Sequence, residues 1–252
     1  MIFLCGPPGI RRFSRQTNQS LKTGVTMIRM RYACLLLLLL PNTSLMAQNG
    51  VKFGFRAGYS LATQYGILAP DIPYTVDVHY RQGLAGGLLI YYPVTESFGI
   101  QQEFLYVQKG SGEDIAMKNR PIRTHTEYDL NYFEIPVVMR LAFLRVKNCT
   151  VYSTGGFALS IRLNGEYRLS GVAEVKGVPL AFSNTNKIKN VDIFDYGFLY
   201  GAGVERRIFG KRCFFEYRFT IGWNILMMTT AEGEDPAPLR NQDYLFTVGL
   251  YL

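Results

Sequence analysis

Residues 213–225 read Cys-Phe-Phe-Glu-Tyr-Arg-Phe-Thr-Ile-Gly-Trp-Asn-Ile. Every second position, Cys213, Phe215, Tyr217, Phe219, Ile221, Trp223 and Ile225, is apolar or aromatic, whereas Glu216, Arg218, Thr220 and Asn224 fall between them. A period of two marks a β-strand, whose successive side chains point to opposite faces. Soluble strands run roughly 5–6 residues. This one runs about twice that, the roughly 9–11 residues a tilted strand needs to cross a bilayer. A soluble lipid-carrying barrel with its apolar face inside would show the same alternation, so the neighbouring stretches have to decide which face is which.

Seven further stretches repeat the pattern, at 51–61, 83–92, 98–109, 128–141, 150–163, 192–205 and 244–252. In 128–141, for example, Phe133, Ile135, Val137, Met139 and Leu141 alternate against Glu134 and Arg140, with Pro136 fitting only at a bulge or irregular pairing. The connections alternate in length. Those at 62–82, 110–127, 164–190 and 227–241 are long and polar, and those at 93–97, 142–149 and 206–212 are short. Eight strands with short turns at one end and long loops at the other predict an all-β fold, an eight-stranded antiparallel up-and-down transmembrane β-barrel, with termini and short turns periplasmic.

Charge placement then selects the inside. The face opposite the apolar one carries Lys52, Arg56, Lys109, Arg140, Arg162 and Arg218 together with Glu103, Glu134, Asp195, Glu205 and Glu216. Turned to lipid, each cation near the midplane would cost about 2–4 kcal/mol. Turned inward, near-equal numbers of opposite charges pair, and neighbouring glycines leave room for them. The expectation is a plugged, charge-paired lumen with a structural role, because an eight-stranded barrel is just wide enough for its own side chains to fill. A carrier is thereby disfavoured.

Composition agrees with β structure, since the chain has 17 Tyr, 17 Phe and 25 Gly. The formal charge of +8 misleads. Residues 27–47 have the basic start, the Leu35 to Leu40 apolar run and the Leu45-Met46-Ala47 exit of a signal peptide, and residues 1–26 read as an upstream extension without a folded pattern. These 47 residues hold six cations and no acid, so residues 48–252 keep 21 cations against 19 acids, and no nucleic-acid partner is expected. Cys149 and Cys213 fall on strands separated by another strand and read as free, with a disulfide as the alternative.

Arg145, Lys147, Arg206, Arg207, Lys211 and Arg212 cluster in the short turns, forming a basic rim suited to an acidic partner or lipid phosphate, or else plain solvated turns. His79 and His125 lie in the expected long loops near Asp71, Asp77, Glu127 and Asp129. A His beside a carboxylate could activate water or a serine, which gives a surface hydrolase as the alternative function, but no nucleophile motif accompanies them. No dinucleotide fingerprint, phosphate loop or metal-spaced Cys/His cluster appears, so no cofactor, metal or catalytic residue is assigned.

Residues 98–110 (Phe-Gly-Ile-Gln-Gln-Glu-Phe-Leu-Tyr-Val-Gln-Lys-Gly), 132–136 (Tyr-Phe-Glu-Ile-Pro) and 195–204 (Asp-Tyr-Gly-Phe-Leu-Tyr-Gly-Ala-Gly-Val), with Glu216-Tyr217-Arg218 and Gly222, resemble the PorT-like outer-membrane β-barrel family of Bacteroidetes. The resemblance spans about residues 48–252. It implies a Gram-negative outer membrane, contact with outer-membrane lipid, insertion by the barrel-assembly machinery, and a non-enzymatic role as anchor, adhesin or secretion accessory working with a periplasmic or secretion-system protein. The chain ends on Leu252 where such barrels usually carry an aromatic, with Tyr244 and Phe246 on the same strand.

Overall fold

In a computed structural model, the protein is described over residues 50–66, 74–117, 122–175, 178–188, 193–223, 226–228 and 237–252. The expected extension (1–26) and signal peptide (27–47) lie outside the described residues. The strands are β1 (Lys52–Gly66), β2 (Tyr74–Pro93), β3 (Phe98–Met117), β4 (Ile122–Val146), β5 (Cys149–Val175), β6 (Val178–Lys187), β7 (Phe194–Ile208), β8 (Lys211–Gly222), β9 (Leu226–Met228) and β10 (Ala237–Tyr251).

Eight of them form a ring in the order β1, β2, β3, β4, β5, β7, β8, β10, every neighbour antiparallel. The ring closes where β1 meets β10, from Gly54 opposite Tyr251 to Gly66 opposite Leu239. Closure gives every ladder a partner on both sides, which a sheet in hydrocarbon requires because no water can satisfy an open edge. β6 folds back on β5, and β9 on β10, outside that ring.

The alternation resolves as a difference between faces. Arg56, Glu103, Glu134, Arg140, Glu216 and Arg218 are buried, while Phe53, Leu88, Met139, Leu141, Phe157, Tyr200 and Val248 are largely exposed on the outside. The lipid-carrier arrangement, with the apolar face inside, is thus the reverse of what the fold adopts. On β4 the outer face is apolar at 133, 135, 137, 139, 141 and 143, a band as long as the roughly 9–11 residues a tilted strand spends in hydrocarbon. Beyond it the same face turns polar at Asn131, Asp129, Glu127, His125 and Arg123.

The long connections differ from expectation. Much of 62–82, 110–127, 164–190 and 227–241 is strand, with β4 running 25 residues and β5 27. Above the bilayer neither face has to be apolar, so these hairpins lose the alternating hydropathy that marks a strand in sequence while keeping the ladder. Pro136 sits at a local gap in the β3–β4 ladder, where Glu103 and Phe104 have no paired residue on β4. There the Gln102 amide donates to the Pro136 carbonyl at 3.1 Å. Cys149 and Cys213 are free and stand on either side of Arg206 of β7. Two strand spacings, about 9–10 Å, exceed disulfide reach.

At the short-turn end the β7–β8 hairpin turns on Phe209 (φ 49°) and Gly210 (φ 79°). Positive φ at both central residues is the geometry that Asn-Gly fills without strain and that a bulky residue fills badly. The Phe209 side chain is fully exposed and has nothing to set against that strain. Phe209→Asn is expected to stabilise the barrel by about 0.5–1 kcal/mol in urea unfolding from detergent; an unchanged or lower midpoint would show that the turn stores no strain.

Candidate functional site

The lumen is filled by three connected layers of polar contacts. In the middle layer Arg56 reaches Glu103 at 2.7 Å and Glu216 at 2.9 Å, and Arg218 binds Glu103 at 2.8 and 2.9 Å and Glu216 at 2.6 Å. All four side chains are buried. The Gln101 amide donates to Glu103 at 2.5 Å and the Tyr152 hydroxyl to Glu216 at 3.1 Å, while Arg56 also bonds the Thr247 hydroxyl. Two cations and two anions thus neutralise each other, and each carboxylate accepts from several donors, while the Nε–H groups of Arg56 and Arg218 are buried without an acceptor among the described residues.

Toward the long hairpins, the Lys109 ammonium lies 2.6 Å from Glu134 and 2.7 Å from Asp243. Ser160 donates to Glu134 at 2.9 Å, and the Asn241 amide donates to Asp195 at 2.9 Å and to Tyr132 at 3.1 Å. Arg162 donates to the Ile188 carbonyl at 3.3 Å. Toward the short turns, Arg140 pairs with Glu205, which also holds Arg212 at 3.1 Å. The Arg140 guanidinium stacks 3.5 Å from the centre of the Tyr152 ring and donates to the Tyr251 hydroxyl, which donates in turn to Gln101 at 2.8 Å.

Ten of the eleven charged residues expected inside take part in these contacts. Lys52 joins no ion pair among the described residues: it is half-buried at the short-turn mouth, its ammonium 5.5 Å from the Tyr91 ring centre. Asp243, Asn241, Gln101, Tyr152, Tyr251 and Thr247 were not singled out in the sequence. Asp243 and Asn241 continue the inward alternation of Leu245 and Thr247, and would have been found by starting the last strand earlier. Packing of the lumen also uses missing side chains: a Cβ on Gly203 would stand 2.4 Å from the Tyr152 ring, and one on Gly249 2.1 Å from that of Phe214.

The basic rim divides. Arg145, Lys147, Arg207 and Arg212 line a cavity of about 490 Å³ at the short-turn mouth, together with Lys52 and Arg140. Arg206 and Lys211 are exposed and are not part of it. Glu96, at the β2–β3 turn, lies 3.7 Å from Arg145.

The histidines lie on strands rather than loops. His79 Nε2 and His125 Nδ1 each stand 2.7 Å from a different oxygen of Asp114. Asp71 is outside the described residues, and Glu127 and Asp129 are engaged with Arg81 and Arg168. The carboxylate that meets both histidines is Asp114 on β3, which no spacing in the sequence marks. Strict alternation along β3 and β4 puts Asp114, His125, Glu127 and Asp129 on the outer face, opposite Lys109 and Leu130. Hydrogen bonds from His125 and then His79 hold the exposed Asp114 carboxyl below the usual carboxylate range. Ser170 directs its hydroxyl to the His125 carbonyl rather than to an imidazole.

The family model of the outer membrane protein beta-barrel domain matches residues 46–226. The chain belongs to this family. The family is one of Gram-negative outer membranes, and the apolar outer band is the surface that meets lipid there. No curated protein matches the sequence. Among solved structures the chain is similar to Neisserial surface protein A (11% identity, 80% of this chain and 99% of that chain, TM-score 0.41). It is likewise similar to the outer membrane protease OmpT from Escherichia coli (8%, 80% and 95%, TM-score 0.45) and to Ail, the attachment invasion locus protein of Yersinia pestis (11%, 80% and 98%, TM-score 0.36). At these scores the likenesses carry no functional argument.

In this barrel the middle layer ties β1, β3 and β8 together through buried ion pairs. Glu103→Leu leaves Arg56 and Arg218 facing Glu216 alone, and is expected to cost about 3–5 kcal/mol in urea unfolding. Arg168→Gln, on the exposed outer ladder, is expected to cost under about 1 kcal/mol. Equal costs would remove the lumen cluster from that role.

Proposed function

We propose that the protein is a non-enzymatic outer-membrane barrel that works through its two rims, as an anchor, adhesin or secretion accessory, rather than by conducting solutes. The observation that carries this reading is the side-chain filling of the lumen: charged and aromatic residues from all around the ring meet at three levels, with the middle four charges buried. Proteins with that interior offer their surroundings only rims and hairpins. In this reading the PorT-like group of Bacteroidetes is the closer kinship, residues 27–47 are removed on export, the barrel-assembly machinery inserts the chain, and the short turns and termini face the periplasm. A periplasmic or secretion-system protein is the partner that the basic short-turn rim would meet.

The hydrolase alternative finds less support. Both imidazole nitrogens that face Asp114 are occupied by its carboxylate, and Ser170, paired with His125 across the ladder, is turned to a backbone carbonyl. The cluster reads as an outer-face tie among β2, β3 and β4.

Two measurements test the proposal. In planar lipid bilayers the purified protein is expected to give no stepwise conductance; regular open-channel steps would overturn the rim reading in favour of a pore. In whole cells, a protease site inserted near Asn184 is expected to be cut directly and one near Phe209 only after the outer membrane is opened. The reverse pattern would invert the orientation.

A further inference from the structure

The short-turn mouth is unlike the rest of the lumen in charge. The middle layer balances two cations with two anions, whereas the mouth cavity is lined by six cations, Lys52, Arg140, Arg145, Lys147, Arg207 and Arg212, against Glu96 and Glu205. Glu205 is committed to Arg140 and Arg212. Lys52, Lys147 and Arg207 have no carboxylate partner among the described residues. Arg140 and Arg212 are offset by Glu205 and Arg145 by Glu96, so the surplus positive charge rests on Lys52, Lys147 and Arg207, and an incoming anion relieves their mutual repulsion.

We propose that this mouth is a binding site for a carboxylate-rich polypeptide segment of a partner protein. The inference rests on the rim reading above and names the ligand of that rim. Three features favour a peptide. The cavity of about 490 Å³ is in the range that holds a ligand of several groups rather than a single small anion. Its cations are spread over β1, β4, β5-side turn, β7 and β8 instead of converging on one point, which suits a row of side chains. Carboxylates are also what the rim already accepts from its own chain: Glu96, almost fully exposed, leans on Arg145 at 3.7 Å and is readily displaced by a partner's acid. Tyr91, Pro93 and Ala142 supply apolar wall for the stems of such side chains.

Lipid phosphate is a poorer fit. The lining residues belong to the inward face of the ring, so the cavity opens along the barrel axis, while the phosphates of the surrounding leaflet lie in a ring outside the wall. A headgroup whose chains remain in the bilayer would have to cross the strand ends to reach Lys52.

The test uses the full-length protein in detergent and fluorescence anisotropy of a labelled Glu/Ser peptide, with a Gln/Ser peptide of equal length as control. The acidic peptide is expected to bind, the neutral one not to, and binding to weaken severalfold as salt rises from about 50 to about 300 mM. Replacing Lys52, Lys147 and Arg207 together by Gln leaves every ion pair of the lumen in place and is expected to weaken binding at least about tenfold. Heat-modifiable migration on a gel confirms that this variant is a folded barrel; a variant that fails it is replaced by Lys147→Gln with Arg207→Gln, expected to weaken binding at least about threefold.

Equal binding of both peptides, or unaltered binding to the folded variant, overturns the proposal. Displacement of the peptide by inorganic phosphate at matched charge reassigns the mouth to small anions, and retention only on anionic lipid nanodiscs reassigns it to lipid. Absence of peptide binding beside a silent bilayer trace removes this ligand and leaves the rim reading standing. Conductance steps beside intact peptide binding do the opposite.

Discussion

The four-charge cluster of Arg56, Glu103, Glu216 and Arg218 is the interaction on which the rest of the barrel depends. Its members come from β1, β3 and β8, and Arg56 also bonds Thr247 of β10, so the cluster straddles the seam where the first strand meets the last. Arg56 is paired across the ladder with Gly87 on β2 and Gly249 on β10, and Arg218 with Gly201 on β7. Bare backbone at those positions lets the guanidinium of Arg56 pass over β2 to reach Glu103 on the strand beyond. A Cβ at Gly87 would stand 2.0 Å from the Phe104 carbonyl oxygen, so the close approach is built into the backbone as well. In hydrocarbon the ring must close to satisfy its backbone, and this cluster holds the closure from inside.

The same cluster is what supports the rim reading of this barrel. A lumen crossed by Arg140 and Tyr152 below, paired carboxylates at mid-height and Lys109 with Glu134 and Asp243 above leaves nowhere for a diffusing solute to go without breaking ion pairs. Removing water from these charges is costly, and the cost is offset because Glu103, Glu216 and Glu134 each find more than one donor. In the proposed reading the work of the protein is done at the two ends. They differ: the short-turn end is a cationic cup, and the long-hairpin end is a set of tall paired strands whose outer face alternates cations, acids and histidines.

Where lipid imposes alternation, the fold was legible. Phe133 to Leu141 against Glu134 and Arg140 could be read as strand, facing and inside all at once, because a slip of one residue would put every charge into hydrocarbon. The lumen partners were legible as a set of charges but not as pairs. Glu103 meets Arg56, Arg218 and Gln101 because of strand register and tilt, and no spacing in one sequence encodes that. Asp243 and Asn241 were hidden because 227–241 looks like loop, so the inward alternation was started too late. His79, Asp114 and His125 lie 35 and 11 residues apart, joined only by a register that a polar stretch does not advertise.

The hairpins beyond the membrane show why polarity alone misleads about shape. Tyr106 donates to Asn131 at 2.9 Å and Asn131 to Asn164 at 2.5 Å, directly above the apolar band. Arg168 then bridges Asp129 and Glu127, and His79, Asp114 and His125 follow. Each rung joins neighbouring strands side chain to side chain, in addition to the backbone ladder, so the sequence that lost its apolar periodicity acquired cross-strand polar pairs in its place. Such pairs are individually weak in water, but a ladder of them on strands already fixed by the barrel below costs little further ordering. Among the described residues the long end therefore presents sheet faces whose side-chain spacing is set by the ladder beneath them.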